Sequence, residues 1–263
     1  MPSSLRVILI EKANENRFFD FLEKDRILHI FTLYDMRYMR DKTEVWAAFE
    51  NEEICGYLFE FDKKIVHTHG KVESMPRLLD CIDLNEPVFV IEPHHLAVIK
   101  EFFRPIEPTD SWSQGKITAY LVVKADAKTF KPSITHRVKR LETEDLNEVL
   151  EHIGEEYEKR VKDAIRTGIA FGAYEKDSLA SLAIAPEIIN GLALVRGVYT
   201  VPSLRSRGLA TSACSALIEE LISLGKEAVL WVAKANLPAI KVYEKIGFKK
   251  TKYTLLGFRA TRL

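Results

Sequence analysis

A short basic segment between a predicted strand and a predicted helix is the first place where this chain could do chemistry. Residues 205–210 read Arg-Ser-Arg-Gly-Leu-Ala; they follow an apolar run ending at Pro202 and precede a helical pattern over 211–224. A strand that turns into a helix in this way points several backbone N–H groups at one spot, at the positive end of the helix dipole. The spacing matches neither G-x-G-x-x-G nor G-x-x-x-x-G-K-S/T, which argues against a dinucleotide fold and a P-loop. The segment therefore predicts a phosphate-binding site.

Further along the chain, Tyr243 could supply a proton. It lies on the apolar face of a predicted helix for which Asn236 is the N-cap and Pro238 belongs to the first turn. Gly247 is placed to end that helix, with Phe248 packing back onto its last turn. A phenol titrates near pH 10, so a positioned tyrosine can act as a general acid. The alternative is a tyrosine that only packs in the core.

Together the two segments resemble the GNAT superfamily of N-acetyltransferases. The loop has the pattern R/Q-x-x-G-x-G/A, and residues 236–248 have the pattern N-x-x-A-x-x-x-Y-E-K-x-G-F, with a predicted helix and strand between them. The resemblance runs from about Ile134 to the C-terminus. It implies that the loop holds the diphosphate of acetyl-CoA, the co-substrate, and that an amine attacks the thioester directly in a ternary complex.

The resemblance also implies roles for individual residues. Tyr243 would be the general acid, and the backbone of the preceding strand would pair with the pantetheine arm. The residues that it assigns to cofactor binding are Val198, Tyr199, Thr200, Arg205, Ser206, Arg207, Gly208, Leu209, Ala210, Thr211 and Asn236.

The chain departs from the family at the general base. An ungapped register puts Leu194 and Trp231 where relatives carry a glutamate, and neither side chain can take a proton. The base is therefore either absent or supplied by a neighbouring loop, for which the candidates are Glu155, Glu156 and Glu187. Regular alternation would put Arg196 on the same strand face as Leu194, where a guanidinium would favour an acceptor with a carboxylate. The alternatives are a solvated Arg196 or a bulge that turns it away.

Composition and charge limit the other functional classes. The chain has 263 residues, 38 basic and 38 acidic, so no net charge draws it to nucleic acid or to an anionic membrane. No apolar stretch is long enough for a membrane span, and the first residues lack a leader pattern because Glu11 and Lys12 interrupt the apolar run. Three scattered cysteines argue against a disulfide framework. We expect a cytoplasmic protein, of unassigned oligomeric state, that acts on an amine of a small molecule or a protein.

The predicted fold class is α+β, with a mixed, mostly antiparallel sheet flanked by helices. The polar segment 126–133 is predicted to link a first domain, 1–125, to an acyl-CoA N-acyltransferase domain, 134–263. The second domain is predicted to run strand, two helices, three antiparallel strands, helix, strand, helix, strand. Asn190-Gly191 indicates a hairpin between two of those strands.

The first domain is predicted to be a degenerate acetyltransferase-like domain or another α/β domain. A hairpin is expected around 51–53, and the counterpart of the phosphate loop, at 68–72, lacks the basic pattern. His67 and His69 alternate onto one strand face without an acidic partner in sequence, and His94-His95 is predicted to be capping or surface, so no metal site is expected. These features leave an enzyme as the favoured function. A regulatory module that binds acyl-CoA without turnover is the alternative, and a scaffold with two inert halves is disfavoured.

Overall fold

A computed structural model describes residues 5–108 and 115–263. Met1–Ser4, part of the segment in which a leader would lie, are outside the described residues. The chain divides into two compact units, each of which takes non-contiguous parts of the sequence. The first unit comprises Met1–Leu121, Ala233–Ala235 and Tyr253–Leu263, and the second comprises Val122–Val232 and Asn236–Lys252.

The predicted linker lies inside the second unit. Asp126 Oδ1 accepts hydrogen bonds from the backbone N–H groups of Lys128 and Thr129, both at 3.0 Å. Ser133 N donates to Ser215 Oγ at 2.8 Å. These bonds hold the polar segment against the second unit, because its side chains satisfy backbone groups locally. The division therefore falls a few residues earlier than predicted, and the end of the chain belongs to the first unit.

The first unit is a twisted sheet with helices. Its strands are β1 (Arg6–Leu9), β2 (Thr43–Glu50), β3 (Glu53–Phe61), β4 (Ile65–Gly70), β5 (Val88–Ile91) and β6 (Phe103–Pro105). Its helices are α1 (Glu15–Glu23), α2 (Ile30–Tyr38), α3 (Met75–Leu79) and α4 (Leu96–Phe102). Three further strands are divided between the units: β7 (Thr118–Ala125), β13 (Lys249–Arg262) and β12 (Glu227–Ala233), of which only Ala233 belongs to the first unit.

The sheet of the first unit has the order β1-β2-β3-β4-β5-β13, with β6 pairing β13. Its pairs are antiparallel except for β4 and β5, which run parallel. The predicted hairpin joins β2 to β3 through Asn51 and Glu52, both with positive φ. Helices α3 and α4 pack on the core that contains Phe89, Phe103 and Phe258. Helices α1 and α2 had no counterpart among the sequence patterns.

The second unit follows the predicted order of elements. These are β8 (Arg137–Arg140), α5 (Leu146–His152), α6 (Glu155–Thr167), β9 (Ile169–Glu175), β10 (Ser178–Ile189), β11 (Leu192–Thr200), α7 (Leu209–Ser223), β12 (Glu227–Ala233), α8 (Leu237–Lys245) and the start of β13. The strands lie in the order β8-β9-β10-β11-β12, antiparallel except for parallel β11 and β12. The hairpin predicted at Asn190-Gly191 joins β10 to β11, with Gly191 at φ +75°.

Helix α6 covers one face of this sheet. Its buried residues Tyr157, Val161 and Ala164 repeat at the spacing of one helical face, and they pack against Leu182 and Ile184 of β10. We call this side of the sheet the α6 face.

Candidate functional site

The second unit contains an opening between two parallel strands. β11 and β12 pair at only three positions, the last of which is Leu194 with Val229. β11 continues to Thr200, so its backbone from 195 onward does not pair with β12 within the described part of the chain. Val198, Tyr199 and Thr200, which the sequence assigned to the pantetheine arm, lie at this end of β11 and are half-buried. Backbone N–H and C=O groups along such an edge can pair with an extended ligand.

Two irregularities in the pairing of β10 with β11 decide which side chains face α6. Leu182 pairs with Tyr199 and Ile184 with Arg196, so β11 has one extra residue at Gly197, where φ is +61°. Because opposed residues of antiparallel strands share a face, Arg196 and Tyr199 both lie on the α6 face. Tyr199 accordingly packs against Tyr157, with ring centroids 4.5 Å apart.

The second irregularity lies on β10. Glu187 pairs with Leu194, so the extra residue falls between 184 and 187 and β11 alternates regularly from Leu194 to Arg196. Arg196 therefore shares a face with Leu194, as regular alternation predicted. Its Nη1 donates to Glu187 Oε1 at 2.6 Å, so the guanidinium engages a carboxylate of the protein itself. This pair argues against Arg196 as a binding group for an acceptor carboxylate.

The predicted phosphate loop leads from β11 into α7. Arg205 Nε donates to Thr200 O at 3.2 Å, Ser206 has φ +63°, and Gly208 is the left-handed N-cap at φ +91°. No side chain of the described residues caps the helix, and Ser212 N donates to Gly208 O at 3.0 Å. The N–H groups of Leu209, Ala210 and Thr211 precede this bond, so they lack an intrahelical partner. The arrangement suits an anion.

Side chains outside the motif hold this loop in place. The backbone N–H of Thr135 donates to Ser212 Oγ at 3.1 Å, and His136 Nδ1 lies 3.3 Å from the same oxygen. Arg207 Nη1 donates to Glu175 Oε1 at 3.1 Å, while the other oxygen of Glu175 lies 3.9 Å from His136 Nε2. Sequence patterns missed Thr135, His136 and Glu175 because they come from the segment before β8 and from β9, far from the loop in sequence. Arg207, one of the two arginines of the loop, is therefore already paired with the carboxylate of Glu175.

Tyr243 lies where α8 meets α7. Asn236 Oδ1 accepts a hydrogen bond from Ala239 N at 3.2 Å, which confirms the predicted N-cap. Gly247 has φ +99°, and the rings of Tyr243 and Phe248 are 5.6 Å apart, as expected for the predicted helix end. Burial, and secondarily Cys214 of α7, raise the pKa of Tyr243 well above that of a free phenol. A neutral phenol that holds its proton can act as an acid.

Of the three glutamates considered as bases, only Glu187 is shielded from solvent. Glu155 and Glu156 are exposed at the start of α6, and Glu156 pairs with Arg160 at 2.8 Å. The Glu187 side chain is 14% exposed, and its Oε2 is buried with no hydrogen-bond partner among the described residues. Burial raises the pKa of Glu187, and Arg196 opposes that shift.

The first unit contains a second group of ionisable residues, which we call the histidine cluster: His29, His67, His69, His94, His95 and Glu92. All but His94 and Glu92 are buried. The prediction that His95 is a capping or surface residue was wrong, because its ring bridges Thr68 Oγ1 and Gly70 O, each at 2.8 Å. The acidic partner that the sequence did not reveal is Glu92, whose Oε1 lies 3.5 Å from His69 Nδ1.

Hydrogen bonding accounts for much of this cluster. Glu92 Oε1 also accepts from Gly70 N at 3.1 Å, and His94 Nε2 lies 3.0 Å from Gly70 O. Ligand atoms of Glu92, His94 and His95 lie within 4.8 Å of one another, a spacing that a metal ion could use. Because the imidazole nitrogens facing Gly70 already bind its carbonyl, we assign the cluster a structural role: it ties the end of β4 to the segment after β5.

No helix in the described part of the chain is long and apolar enough to cross a membrane.

Comparisons with known proteins agree with this description of the fold. Residues 170–256 match the family model described as FR47-like protein. A Drosophila protein of known structure is similar over 97% of this chain and 98% of its own, at 11% identity and a TM-score of 0.67. A tandem GNAT protein from the clavulanic acid biosynthesis pathway covers 98% of both chains, at 12% identity and a TM-score of 0.60. A putative GNAT acetyltransferase from Novosphingobium aromaticivorans covers 78% of this chain and 88% of its own, at 20% identity and a TM-score of 0.51.

The resemblance to GNAT proteins drawn from two sequence motifs is thereby confirmed, as is the predicted mixed α+β fold. The whole-chain match to a tandem GNAT protein extends the likeness to the first half. At these identities the likeness concerns the fold alone. No curated protein matches the sequence.

Proposed function

We propose that this chain is an acyl-CoA-dependent N-acyltransferase that transfers acetyl from acetyl-CoA to an amine. The observation that carries the proposal is the connection between two sites on one helix. The N-terminus of α7 presents unsatisfied N–H groups. Farther along α7 is Cys214, and Tyr243 of α8 lies beside it. Leu209 and Cys214 are five residues apart, or about 7.5 Å along the axis. The pantetheine arm of one cofactor is longer than this separation, so it can reach from a diphosphate at the loop to a thioester near the phenol.

The residues of the loop fit a diphosphate. Gly208 has no side chain to block approach of an anion, and the first turn of α7 supplies N–H donors with the favourable end of the helix dipole. Arg205 and Arg207 are exposed on the same loop. The backbone of Val198, Tyr199 and Thr200 would pair with the pantetheine arm in the opening beside β12.

Acetyl-CoA would supply an acyl group activated as a thioester. Backbone N–H groups of β11 would stabilise negative charge on the carbonyl oxygen as the amine attacks. Tyr243 would protonate the sulfur as it leaves, and the raised pKa of its hydroxyl keeps the phenol protonated until that step. The acceptor is an amine of a small molecule or of a protein.

Replacing Tyr243 tests the proposal. Acetyl-CoA binding is measured by calorimetry, and release of free thiol is measured with a panel of primary amines: a diamine, an aromatic amine, an amino sugar and an amino acid. Tyr243→Phe should bind acetyl-CoA as wild type does and transfer acetyl roughly 10²-fold more slowly, because it keeps the ring and removes the acid.

Tyr174→Phe is the matched control, since its hydroxyl donates to Glu148 on α5 and plays no part in the proposed chemistry. An unchanged rate in Tyr243→Phe would demote Tyr243 to a packing residue. Binding without thiol release for any amine would favour the regulatory alternative, and no binding would exclude both.

A further inference from the structure

One carboxylate in the second unit is positioned for a reaction and is not accounted for by packing or by surface charge. Glu187 lies on β10 opposite Leu194, the last residue of β11 that pairs with β12. The opening between the two parallel strands therefore begins beside this glutamate. Cβ atoms of opposed residues in an antiparallel pair are about 5 Å apart, so Glu187 lies beside Leu194 on the α6 face, one strand away from the opening.

The state of the carboxylate is unusual for a structural residue. One oxygen accepts a hydrogen bond from Arg196, and the other is buried without a partner in the part of the chain that the structure describes. Leaving a buried charged oxygen unpaired costs free energy, and such atoms in folded proteins call for a specific explanation. A bound donor that is absent from the protein alone would provide the missing partner.

We infer that Glu187 binds the acceptor amine through Oε2 and takes its proton, an inference that rests on the proposed acyltransferase function. Arg196 is a positioning residue, because it holds Oε1 and so fixes the orientation of the carboxylate. The acceptor is accordingly a primary amine that arrives as an ammonium ion. A buried carboxylate that carries one existing arginine partner can accept one further cation, and an ammonium supplies the short, charge-assisted hydrogen bond that suits it.

The proton balance of the step is simple. The ammonium gives one proton to Glu187, and the nitrogen lone pair then forms the N–C bond to the thioester carbonyl. The C–S bond breaks, and the sulfur takes the phenolic proton of Tyr243. The nitrogen loses its second proton, which restores the phenol through solvent, and Glu187 releases its proton to solvent. One amide, one thiol and one proton leave for each ammonium and thioester consumed.

The influences on the carboxyl agree with this role. Burial raises the pKa of Glu187, while the facing Arg196 and the backbone N–H of Glu187 itself oppose that shift. A carboxylate made more basic by burial is a better proton acceptor.

Two analogues of coenzyme A test the inference without a known acceptor. S-(3-aminopropyl)-coenzyme A places an ammonium next to the sulfur, and S-butyl-coenzyme A is its neutral match. Calorimetry should show that the wild-type protein binds the ammonium analogue about tenfold more tightly. Glu187→Gln should lose this preference and keep its affinity for the butyl analogue. Glu156→Gln, which removes an exposed carboxylate from α6, should keep the preference.

Each result separates the two claims. Binding of neither analogue to the wild type would remove the proposed function and this inference with it. Equal binding of both analogues by the wild type, or a preference that survives Glu187→Gln, would overturn the role of Glu187 and leave the proposed function standing. If Glu187→Gln does not fold, the wild type decides alone. Its preference should vanish as the pH falls through the ionisation of Glu187, and a preference independent of pH would overturn the inference.

Discussion

Each unit contains a pair of parallel strands, and the two pairs differ in how far along their length they are hydrogen-bonded. In the second unit, β11 runs six residues beyond its last pair with β12, from Val195 to Thr200. In the first unit, β4 pairs with β5 as far as Thr68 and Ile91, which is the end of β5, and stops at Gly70. One pair is therefore open toward its carboxyl ends, and the other is paired along almost its whole length.

The segments after the two strands complete the contrast. The loop after β11 enters a 15-residue helix with unsatisfied N–H groups, whereas the chain after β4 enters a 5-residue helix, α3. At Gly70 an added Cβ would lie 2.4 Å from the backbone of Cys55 and Gly56, so this turn is packed against its neighbour strand. Glu92, His94 and His95 then bind its N–H and C=O groups. The same arrangement of parallel strands can therefore leave a space for a ligand or fill it with protein contacts. In the first unit, the polar side chains after β5 fill it.

The largest effect is expected from adding a side chain at Gly208, in the loop that leads from β11 into α7. Gly208→Val should weaken acetyl-CoA binding on the order of 10²-fold, because the side chain blocks the anion and two or more charge-assisted N–H bonds are lost. Calorimetry measures the affinity. Gly225→Val is the matched control, since Gly225 also has positive φ, at +70°, and nothing lies within 4 Å of its added Cβ. Equal losses in the two variants would mean that backbone strain, and not the loop, sets the affinity.

An intermediate effect is expected from lowering the pH, which acts on the buried residues of the histidine cluster in the first unit. Burial lowers the pKa of His29 to about 2, of His67 to about 3 and of His95 to about 4, against 6.5 for a free histidine. The unfolded chain takes up these protons below pH 6.5 and the folded chain does not. Stability present above pH 6.5 is therefore lost as the pH falls toward those values, at up to ~1.4 kcal/mol per pH unit for each histidine.

Urea unfolding at a series of pH values measures that slope. His67→Phe should reduce the slope by the contribution of one histidine. Phe59→Leu should lower the stability and leave the slope unchanged, because Phe59 packs against His67 but has no ionisable group. All buried histidines in the described part of the chain lie in the first unit. A slope that is unchanged in His67→Phe would show that the cluster does not govern the response to acid.

The smallest effect is expected from a carboxylate that pairs with the loop before α7. Glu175 pairs with Arg207 of the loop and would compete with a diphosphate for that arginine. Glu175→Gln should raise the affinity for coenzyme A about threefold, the scale of an exposed ion pair. Glu220→Gln, near the far end of α7 and paired with Arg140, is the control for the change in net charge. If both variants gain equally, the effect belongs to overall charge and Glu175 does not compete.

Sequence patterns could predict the open site because its main features are local. The strand-to-helix loop, the cap at Asn236 and the turn at Gly247 each depend on a few consecutive residues, and the structure places them as expected. Glu187 could only be one candidate among three, because its position opposite Leu194 depends on two irregularities in strand pairing. Gly197 is a local signal for one of them, since an isolated glycine in a strand pattern suggests a bulge, but it does not show which residues become opposed.

The contacts of the histidine cluster could not be predicted from the sequence for a related reason. His69 and Glu92 are brought together by the parallel pairing of β4 with β5, across a stretch of chain that contains α3. Period-two alternation placed His67 and His69 on one face but could not supply the partner. The division of the chain was equally non-local, since the allocation of Tyr253–Leu263 to the first unit depends on which strand β13 meets.

That allocation has a consequence for how the protein is made. Leu256 pairs with Ile91 and Phe258 with Phe89, so residues synthesised late complete the sheet of the unit that leaves the ribosome first. Until then, the edge of β5 is an unpaired template and its core lacks Phe258, a combination that favours aggregation of the nascent chain. A stop codon or a bulky insertion within Tyr253–Leu263 would therefore injure the histidine-containing half of the protein, far in sequence from the lesion.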